Sequence, residues 1–373
     1  MFSKIYKNVV QFIRENFLYL LLYLFLLFII IFPVNYNIIT GGGTILSDTK
    51  VEVKGAKKSK GSFSFCYVEE IKGTIFTYIL SYIIPSYEKE SLDDYKISDS
   101  DSRGDIEFRN NMWMNQVNSN AIYVAFNALG KEVKLKENKN YVSYITEQAK
   151  TDLKIGDEVI SVDDIKITDI DNLKEIVSGK SVGDKVSINV RRGSKKIKRY
   201  AYVYEEKGEL YIGISLINNK EYDTDPLVNI KFKSRENGPS GGLILTLQIY
   251  NLLTTKDITH GLDIAGTGTM EEDGSVLDID GVKYKLKGAV DDKKDVFIVP
   301  SGRNYKEAIN EKKKNNYKIK IIGVKDFQDA LTKLENLEWC IKTVDKCIYF
   351  VYTIYRGENY GSKTPKMGQF WCS

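Results

Sequence analysis

The chain has 373 residues, of which 43% are hydrophobic and 28% are charged. That composition supplies ordinary globular cores, and the length is enough for two or three domains. Lys and Arg number 54 against 50 Asp and Glu, and a net charge of +4 spread along the chain favours neither a nucleic-acid-binding protein nor an acidic scaffold.

The histidine and cysteine counts exclude two kinds of metal site. His260 is the only histidine in the sequence, whereas a metalloprotease of the HExxH kind needs two histidine ligands. The four cysteines form no CxxC pair, which excludes a four-thiolate zinc site. They are Cys66, Cys340, Cys347 and Cys372. A disulfide between Cys340 and Cys347 stays open, and we expect no metal or other cofactor.

A long apolar run near the N-terminus predicts a membrane segment. Residues 17–32 are apolar or aromatic without interruption, and Pro33 and Val34 extend the run to 18 residues. A helix of that length, rising about 1.5 Å per residue, nearly spans the ~30 Å hydrocarbon layer. The alternatives are a buried core helix, which rarely lacks polar positions over such a length, and a cleaved signal peptide, for which no A-x-A-like site follows. We therefore expect residues 1–34 to form a cytoplasmic stub and a retained, single-pass signal anchor.

The charges around this run predict its orientation. Lys4, Lys7 and Arg14 precede it, against Glu15 alone, and no further charged residue follows until Asp48. The positive-inside rule then places the N-terminus in the cytoplasm and the rest of the chain outside it, at the cell membrane.

Residues 35–132 predict a mixed extracytoplasmic region. Gly41–Gly43 are typical of a short hinge beside the membrane, and the acidic, serine-rich residues 88–105 of an exposed loop. Apolar positions at helical spacing between residues 114 and 128 predict a helix that Gly130 ends.

The pattern changes to short strands over residues 133–207. A Gly-Asp turn and an alternating strand at residues 155–164 precede a short helix with Asp169 at its start, and a second alternating strand follows at residues 183–191. This order resembles a PDZ domain, which implies binding of an extended peptide beside a strand and a helix. The Gly-Leu-Gly-Phe loop that binds a terminal carboxylate is not visible near residues 141–145.

One segment mimics a phosphate-binding loop. Residues 178–181 read Ser-Gly-Lys-Ser, but position 174, where the P-loop needs its first glycine, is lysine. The segment also lies between a predicted helix and a strand rather than at the start of a helix. We therefore expect no ATP-binding site and no dependence on ATP.

A serine between glycines points to nucleophilic catalysis. Residues 236–243 read Glu-Asn-Gly-Pro-Ser-Gly-Gly-Leu and precede an apolar helical stretch. Backbone N–H groups are unpaired at the start of a helix, so the amides of Ser240 and Gly241 are placed to stabilise an oxyanion. The alternative is a simple capped helix, because Pro-Ser before an apolar run is common.

A second segment makes the first more specific. Gly-Thr-Gly-Thr at residues 266–269 is followed by Gly-Val-Lys-Tyr-Lys-Leu at residues 281–286. In this order the motifs are similar to the proteolytic domain of Lon proteases, which implies a Ser–Lys dyad of Ser240 and Lys285. The departures from the family pattern are Asn237 for Asp, Gly241 for Ala and Asp280 for Gly.

The chemistry of the site supports a lysine base. A serine hydroxyl needs a base within hydrogen-bond reach, and burial among apolar side chains lowers the pKa of lysine by several units. The apolar neighbours of Lys285 in sequence are Ile279, Val282, Leu286 and Ala289. The resemblance implies support from Asn237, Gly241 and Thr267, and we expect the Thr267 hydroxyl to bond and orient the lysine. A Ser–His enzyme using His260 is the alternative, but a loop histidine before a turn glycine accounts for that residue.

The whole order resembles the bacterial PDZ-containing Lon-like membrane proteases of the YlbL type, over residues 15–335. We expect an α+β multidomain chain with a transmembrane helix, a mixed α/β region, a β-sandwich-like PDZ domain and a Lon-type α+β protease domain at residues 208–336. Residues 337–373 have no assigned role. The implied function is a membrane-anchored, ATP-independent serine endopeptidase whose partners are peptides or proteins and the membrane, with no nucleic acid; homo-oligomerisation stays open. The alternative function is a catalytically inactive, PDZ-based membrane scaffold.

Overall fold

The computed structural model describes residues 2–233 and 236–337. The chain divides into two compact units, each assembled from three separate segments of the sequence. The first unit contains the residues up to Gly43, Tyr67–Arg109 and Asn140–Ile217, and the second contains Thr44–Cys66, Asn110–Lys139 and the residues from Asn218 onward. The domain limits at residues 35–132, 133–207 and 208–336 stay predictions, and the pairing of Cys340 with Cys347 falls outside the described residues.

The N-terminal region contains two helices and the first strands of the chain. Its elements are α1 (Phe2–Glu15), α2 (Phe17–Ile31), β1 (Pro33–Leu46), β2 (Val51–Val53), β3 (Ser62–Thr74), α3 (Ile75–Leu80), β4 (Glu88–Ser91) and α4 (Arg103–Ala128). The apolar helix ends at Ile31 rather than at Val34 because proline disfavours helical backbone at the residue before it, and Phe32 is extended (ψ 118°). Within the described residues, no single helix is long and apolar enough to cross a membrane. Residues 5–15 and α2, bent by 77°, pass that test only as a pair.

Two local predictions for this region are wrong. Gly41–Gly43 lie inside β1 instead of forming a hinge, because strand pairing overrides the local preference of glycine. Residues 88–105 are not an exposed loop: they contain β4, which pairs with β1, and the buried side chains of Leu92 and Asp101.

The middle of the chain folds as a twisted antiparallel sheet with one helix. Its elements are β5 (Lys134–Ile145), β6 (Glu158–Val162), β7 (Ile165–Lys166), α5 (Ile170–Ser178), β8 (Lys185–Arg192), β9 (Lys195–Tyr202), β10 (Tyr204–Glu206), β11 (Glu209–Tyr211) and β12 (Ile214–Asp223). The strand order is β12–β5–β6–β8–β9, with β7 paired to β6. The Asp169 carboxylate accepts from the Asn172 N–H and caps α5, as the sequence predicts.

The C-terminal region is built on a parallel sheet. Its elements are β13 (Val228–Ile230), α6 (Gly242–Leu253), β14 (Asp263–Gly266), β15 (Thr269–Met270), β16 (Val276–Leu277), α7 (Val282–Asp291), β17 (Val296–Pro300), α8 (Arg303–Asn315), β18 (Lys320–Val324) and a helix α9 at residues 327–337. In the second unit β18, β17, β14 and the start of β3 lie side by side and parallel.

Helices cover both faces of this parallel sheet. Successive residues of β14 point to opposite faces. Ile264 packs in the apolar cluster that contains the side chains of α4 and α6, whereas Ala265 packs in the cluster that contains those of α7 and α8. The chain is therefore a mixed α+β multidomain protein, and helices α6 and α7 reach the sheet from opposite sides.

Candidate active site

The start of α6 presents Ser240 at a helix N-terminus. Pro239–Gly241 form a single 3₁₀ turn that leads directly into α6. A Cβ on Gly242 would lie 2.4 Å from Cγ1 of Val117 and 2.7 Å from the backbone N of Met270, so only glycine fits there. The N–H groups of Ser240 and Gly241 belong to the first turn, where a helix offers no acceptor of its own.

The backbone of Ser240 is held at the carboxyl end of β14. Its carbonyl oxygen accepts from the Gly268 N–H at 2.8 Å and from the Thr267 hydroxyl at 3.0 Å. The Thr267 N–H donates to the Ile298 carbonyl at 3.0 Å, which ties the same turn to β17. In the described part of the chain the Thr267 hydroxyl donates to the Ser240 carbonyl and has no contact with Lys285, so its role in orienting the lysine stays a prediction. Thr267 therefore positions the serine.

Lys285 lies on α7 with only 5% of its surface exposed. The helix begins after Gly281, whose left-handed backbone (φ 75°) starts the first turn. The apolar cluster around the buried face of α7 includes all four predicted neighbours, Ile279, Val282, Leu286 and Ala289. Within the described residues the Lys285 ammonium has neither an ion pair nor a hydrogen bond. It is a buried amine without a counter-charge in contact.

Burial changes the acidity of this amine. Removal from water lowers the pKa of Lys285 from 10.5 to about 8, and the more distant charges of Asp280 and Glu307 only partly oppose the effect. Lys283, two residues earlier, is half-buried, and its Nζ lies 4.7 Å from the centroid of the Tyr284 ring. The two lysines of the motif thus differ in environment as the helical spacing predicts.

Cys66 lies near Lys285 and beside the end of β14, where the Ser240 backbone is held. It lies at 5% exposure on β3, in the same apolar cluster as α7, and close enough to Lys285 for a charge on one group to shift the pKa of the other. Burial raises the pKa of its thiol to about 12, so the group is neutral, and its sulfur accepts a hydrogen bond from the Gly266 backbone immediately before Thr267. Nothing in the sequence singles out Cys66, because it stands in an ordinary alternating strand.

No hydrogen bond joins Ser240 Oγ to Lys285 Nζ in the described part of the chain. The two residues lie at the start of α6 and on α7, on opposite faces of the sheet, and both lie near the end of β14. The Ser240 carbonyl accepts from Thr267, which follows β14, and Lys285 lies near Cys66, which accepts from the Gly266 backbone at the end of β14. Ligands of parallel sheets bind beyond the carboxyl ends of the strands. The assignment of the dyad stays a prediction with this placement behind it.

The three departures from the family motif have different surroundings. A Cβ on Gly241 would lie 3.1 Å from the ring of Phe65, so glycine relieves a tight contact that alanine would make. Asp280 is exposed and its carboxylate pairs with Arg303 at 3.1 Å. Asn237 is also exposed, and the structure gives its side chain no hydrogen bond to any described residue.

His260 lies at the other end of β14. It occupies a turn before the strand, with φ 53°, whereas Thr267 follows the strand's last residue. This placement agrees with the interpretation of His260 as a loop histidine. A Ser240–His260 pair would have to bridge the length of the strand.

Comparison with known proteins identifies two domain families in the chain. Residues 127–199 match the family of PDZ domains, and residues 233–335 match the C-terminal proteolytic domain of Lon protease (S16). The chain is 26% identical over 208 residues to the Lon protease of Campylobacter jejuni, a match that covers 54% of this chain and 24% of that protein. This chain therefore spans about a quarter of the length of that relative.

Two solved structures each match about a quarter of the chain. The PDZ domain of an SdrC-like protein from Listeria monocytogenes is 25% identical, covering 23% of this chain and 94% of its own, with a TM-score of 0.21. The second domain of another Listeria protein is 27% identical, covering 23% and 90%, with a TM-score of 0.20. Scores this low say nothing about the overall fold. The two family matches occur in the order that the sequence resemblance implies.

Proposed function

We propose, from the two matched domains, that the chain is a PDZ-containing Lon-like protease. It is an ATP-independent serine endopeptidase that uses Ser240 as nucleophile and Lys285 as general base. The PDZ domain selects substrate peptides, and α2 anchors the chain in the membrane with the N-terminus in the cytoplasm.

The state of Lys285 is the observation that carries the catalytic proposal. A general base must be unprotonated when the substrate arrives. A pKa of about 8 leaves roughly a tenth of the amine neutral at pH 7, against a few parts in ten thousand at a pKa of 10.5. A lysine kept only for stability would gain from a carboxylate partner, and the described residues supply none in contact.

The proposed reaction runs through an ester of Ser240. The Lys285 amine takes the hydroxyl proton as Ser240 Oγ attacks the peptide carbonyl carbon, and the N–H groups of Ser240 and Gly241 receive the developing oxyanion. The C–N bond then breaks, and the Lys285 ammonium returns the proton to the leaving amine. Water, deprotonated by the same amine, hydrolyses the ester and regenerates the serine. The missing Ser240–Lys285 hydrogen bond is consistent with this role, because such bonds often tighten only when the substrate is bound.

The edge strand β12 supports the role proposed for the PDZ domain. It is the last strand in the sheet order, and an extended peptide adds to such an edge through main-chain hydrogen bonds. Partly buried Ile214 on β12 and Ile176 on α5 flank the cluster of buried side chains and offer apolar contacts for alternate peptide residues. Gly213, with φ 75°, opens the strand, and its carbonyl accepts from the Thr146 N–H at 2.9 Å. Residues 141–145, where the sequence shows no carboxylate-binding loop, belong to β5, the strand beside β12.

The anchoring proposal rests on exposed apolar helices. Within the described residues no side chain of α2 is buried, and large apolar side chains of α1 such as Val9, Phe12 and Ile13 are exposed. A 77° bend suits an amphipathic α1 in the headgroup layer and α2 across the bilayer.

Protease added to intact cells should digest the PDZ and proteolytic domains. Complete protection behind an intact membrane would refute this orientation.

Hydrolysis by the full chain tests the catalytic proposal directly. The wild-type protein in lipid nanodiscs should cleave a fluorescently labelled unfolded protein, and Ser240→Ala should abolish cleavage. Ser301→Ala is the matched control, because Ser301 is an exposed serine in the turn before α8. Equal rates in wild type and Ser240→Ala would refute the proposal and favour the inactive PDZ scaffold.

The PDZ role predicts that Ile176→Asp raises KM for the protein substrate and leaves kcat for a short peptide unchanged.

A further inference from the structure

An exposed apolar surface lies outside the proposed active site. It is formed by α3 and the turn after it, and we call it the α3 surface. Its exposed members are Phe76 (44%), Ile79 (48%), Tyr82 (69%) and Ile83 (68%). Four large side chains exposed within eight residues are unusual for a surface that faces only water, and such patches mark interaction sites.

The α3 surface is attached to the end of the predicted anchor. The Ile75 N–H, at the start of α3, donates to the carbonyl of Phe32, the first residue after α2, at 3.1 Å. Thr74 and Thr77 form a reciprocal capping box that fixes the first turn of α3 against this contact. The start of α3 is therefore held directly against the end of α2.

Tyrosines and a lysine border the α3 surface. The rings of Tyr36 and Tyr78 lie 5.1 Å apart, and those of Tyr78 and Tyr82 lie 5.6 Å apart. Lys89 places its Nζ 3.5 Å from the centroid of the Tyr82 ring. Tyrosine rings concentrate at the level of lipid headgroups, and lysine stems lie along apolar surface while the ammonium reaches water or phosphate. This border has the chemistry of a membrane interface.

The length of α2 leaves room for such a contact. Its 15 residues rise about 22 Å, whereas the hydrocarbon layer is ~30 Å thick. A helix shorter than the layer is accommodated by local thinning or by further apolar surface at its ends. The α3 surface supplies that surface where α2 stops.

We propose that the α3 surface inserts into the lipid headgroup and acyl boundary of the same membrane that α2 crosses. The occupant is the bilayer itself, with Phe76, Ile79 and Ile83 among the acyl chains and the tyrosines at headgroup level. This inference rests on the proposed anchoring by α2. It adds a second attachment that fixes the first unit against the membrane surface.

Spin-label accessibility in nanodiscs tests this contact in the full chain. With the four native cysteines replaced by serine, single cysteines are introduced as Ile79→Cys and Ile83→Cys and labelled with a nitroxide. Val182→Cys, at an equally exposed apolar residue (59%) of the first unit, is the aqueous control, and Leu24→Cys within α2 is the lipid control. The readout is the collision rate with oxygen, which concentrates in lipid, relative to that with a water-soluble nickel chelate.

The expected ratios at Ile79→Cys and Ile83→Cys are several times that at Val182→Cys and approach that at Leu24→Cys. Ratios equal to that of Val182→Cys, with Leu24→Cys in lipid, would overturn the contact and leave the anchor intact. A Leu24→Cys label in water would instead overturn the anchor. Low collision rates with both reagents, together with dipolar broadening between labels, would assign the α3 surface to a second copy of the chain and overturn the lipid contact.

Discussion

The two compact units differ in whether every buried charge meets a counter-charge. The second unit pairs Lys50, which is 7% exposed, with Glu236 at 2.7 Å, but it also holds a buried lysine without such a contact. In the first unit, Arg109 and Asp101 are almost fully buried and form an ion pair at 2.5 Å. Arg192 donates two hydrogen bonds, of 2.6 and 2.7 Å, to the buried carboxylate of Asp157. In the second unit, Lys285 is as deeply buried and has no such partner among the described residues. A buried charge left unpaired is destabilising, so a fold retains one where it serves chemistry. The comparison separates paired charges that hold the structure from the unpaired lysine to which the proposal gives the role of base.

The lysine of residues 178–181, the segment that mimics a phosphate-binding loop, is also a paired charge. Lys180 Nζ lies 2.7 Å from the carboxylate of Asp163, whose other oxygen accepts from the Ser187 N–H at 2.8 Å. The lysine of this segment is therefore a member of the first unit's paired charges. It braces the turn between α5 and β8.

Substitution of the two motif lysines has the largest expected effect. Lys285→Ala and Lys285→Arg should each lower kcat by several orders of magnitude, since alanine removes the base and arginine stays protonated. Lys283→Ala is the matched control, two residues away on the same helix, and should retain most activity. Initial rates on the unfolded protein substrate in nanodiscs measure all three.

The opposite result would have a definite meaning. Inactive Lys283→Ala with active Lys285→Ala would show that the dyad is misassigned by two residues. Activity in both, with Ser240→Ala inactive, would point to another base, and His260 would be the first to test.

Breaking a paired charge in the first unit should be strongly destabilising. Arg109→Met leaves the Asp101 carboxylate buried without its counter-charge, which costs about 3–5 kcal/mol of unfolding free energy. Burial opposes ionisation of Asp101, yet Arg109 and the N–H groups of Ile97 and Ser98 hold its pKa below the usual range. Amide hydrogen exchange of first-unit peptides measures the loss.

The matched control is an exposed pair in the same unit. Lys174 and Asp171 meet at 3.1 Å on the surface of α5, and Lys174→Met should cost less than about 1 kcal/mol. Equal losses for Arg109→Met and Lys174→Met would mean that burial does not distinguish the two pairs.

Removing the unpaired charge should stabilise the second unit. Lys285→Met keeps the volume and removes the amine, and a pKa lowered from 10.5 to about 8 corresponds to about 3 kcal/mol. Between pH 8 and 10.5 the unfolded chain binds more protons than the folded chain, so wild-type stability rises with pH there. The advantage of Lys285→Met is therefore complete below about pH 8 and lost by about pH 10.5.

Hydrogen exchange of second-unit peptides at pH 7 and at higher pH measures this difference. Lys283→Met, at a half-buried position, is the control and should change little. A destabilised Lys285→Met protein at pH 7 would show that the ammonium is favourably solvated, contrary to the comparison between the units.

The sequence predicts elements whose signals are local. Gly130 ends α4 as expected, because its left-handed backbone (φ 65°) lets Gly130 and Lys131 donate to the carbonyls of Asn127 and Phe126. The burial of Lys285 also follows from local spacing, since apolar residues surround it along one helix. Features that depend on residues distant in the chain do not follow from such local patterns.

Two examples show what local reasoning could not supply. Gly41–Gly43 become a strand only because β3 and β4 lie beside β1 in the sheet. Cys66 comes next to Lys285 only because β3 pairs with β14, about two hundred residues further along the chain, and the Thr267 hydroxyl turns to the Ser240 carbonyl for the same tertiary reason. Neither contact has a signature in the residues themselves.

The pH dependence of the rate should follow the unpaired lysine. Below its pKa, kcat/KM should rise about tenfold per pH unit, and it should level off above about pH 8 as Lys285 loses its proton. Cys66→Asp, which would place a charge beside the amine, should move the whole profile to higher pH while Cys66→Ser leaves it near wild type. A profile that is flat from about pH 6 to 9 would remove Lys285 from the role of base.

The smallest expected effect is the response to ATP, which is none. Lys180, the cation of residues 178–181, is paired with Asp163 at 2.7 Å, and the segment follows a helix instead of opening one. Cleavage of the unfolded protein should therefore proceed at the same rate with and without magnesium and ATP, in wild type and in Lys180→Met alike. A several-fold stimulation by ATP that is lost in Lys180→Met would show that Lys180 binds nucleotide. That result would contradict the assignment of Lys180 as a structural lysine paired with Asp163. Stable folded substrates should be cut slowly under every condition, since cleavage of a protein whose unfolding is not driven tracks the small fraction that opens spontaneously.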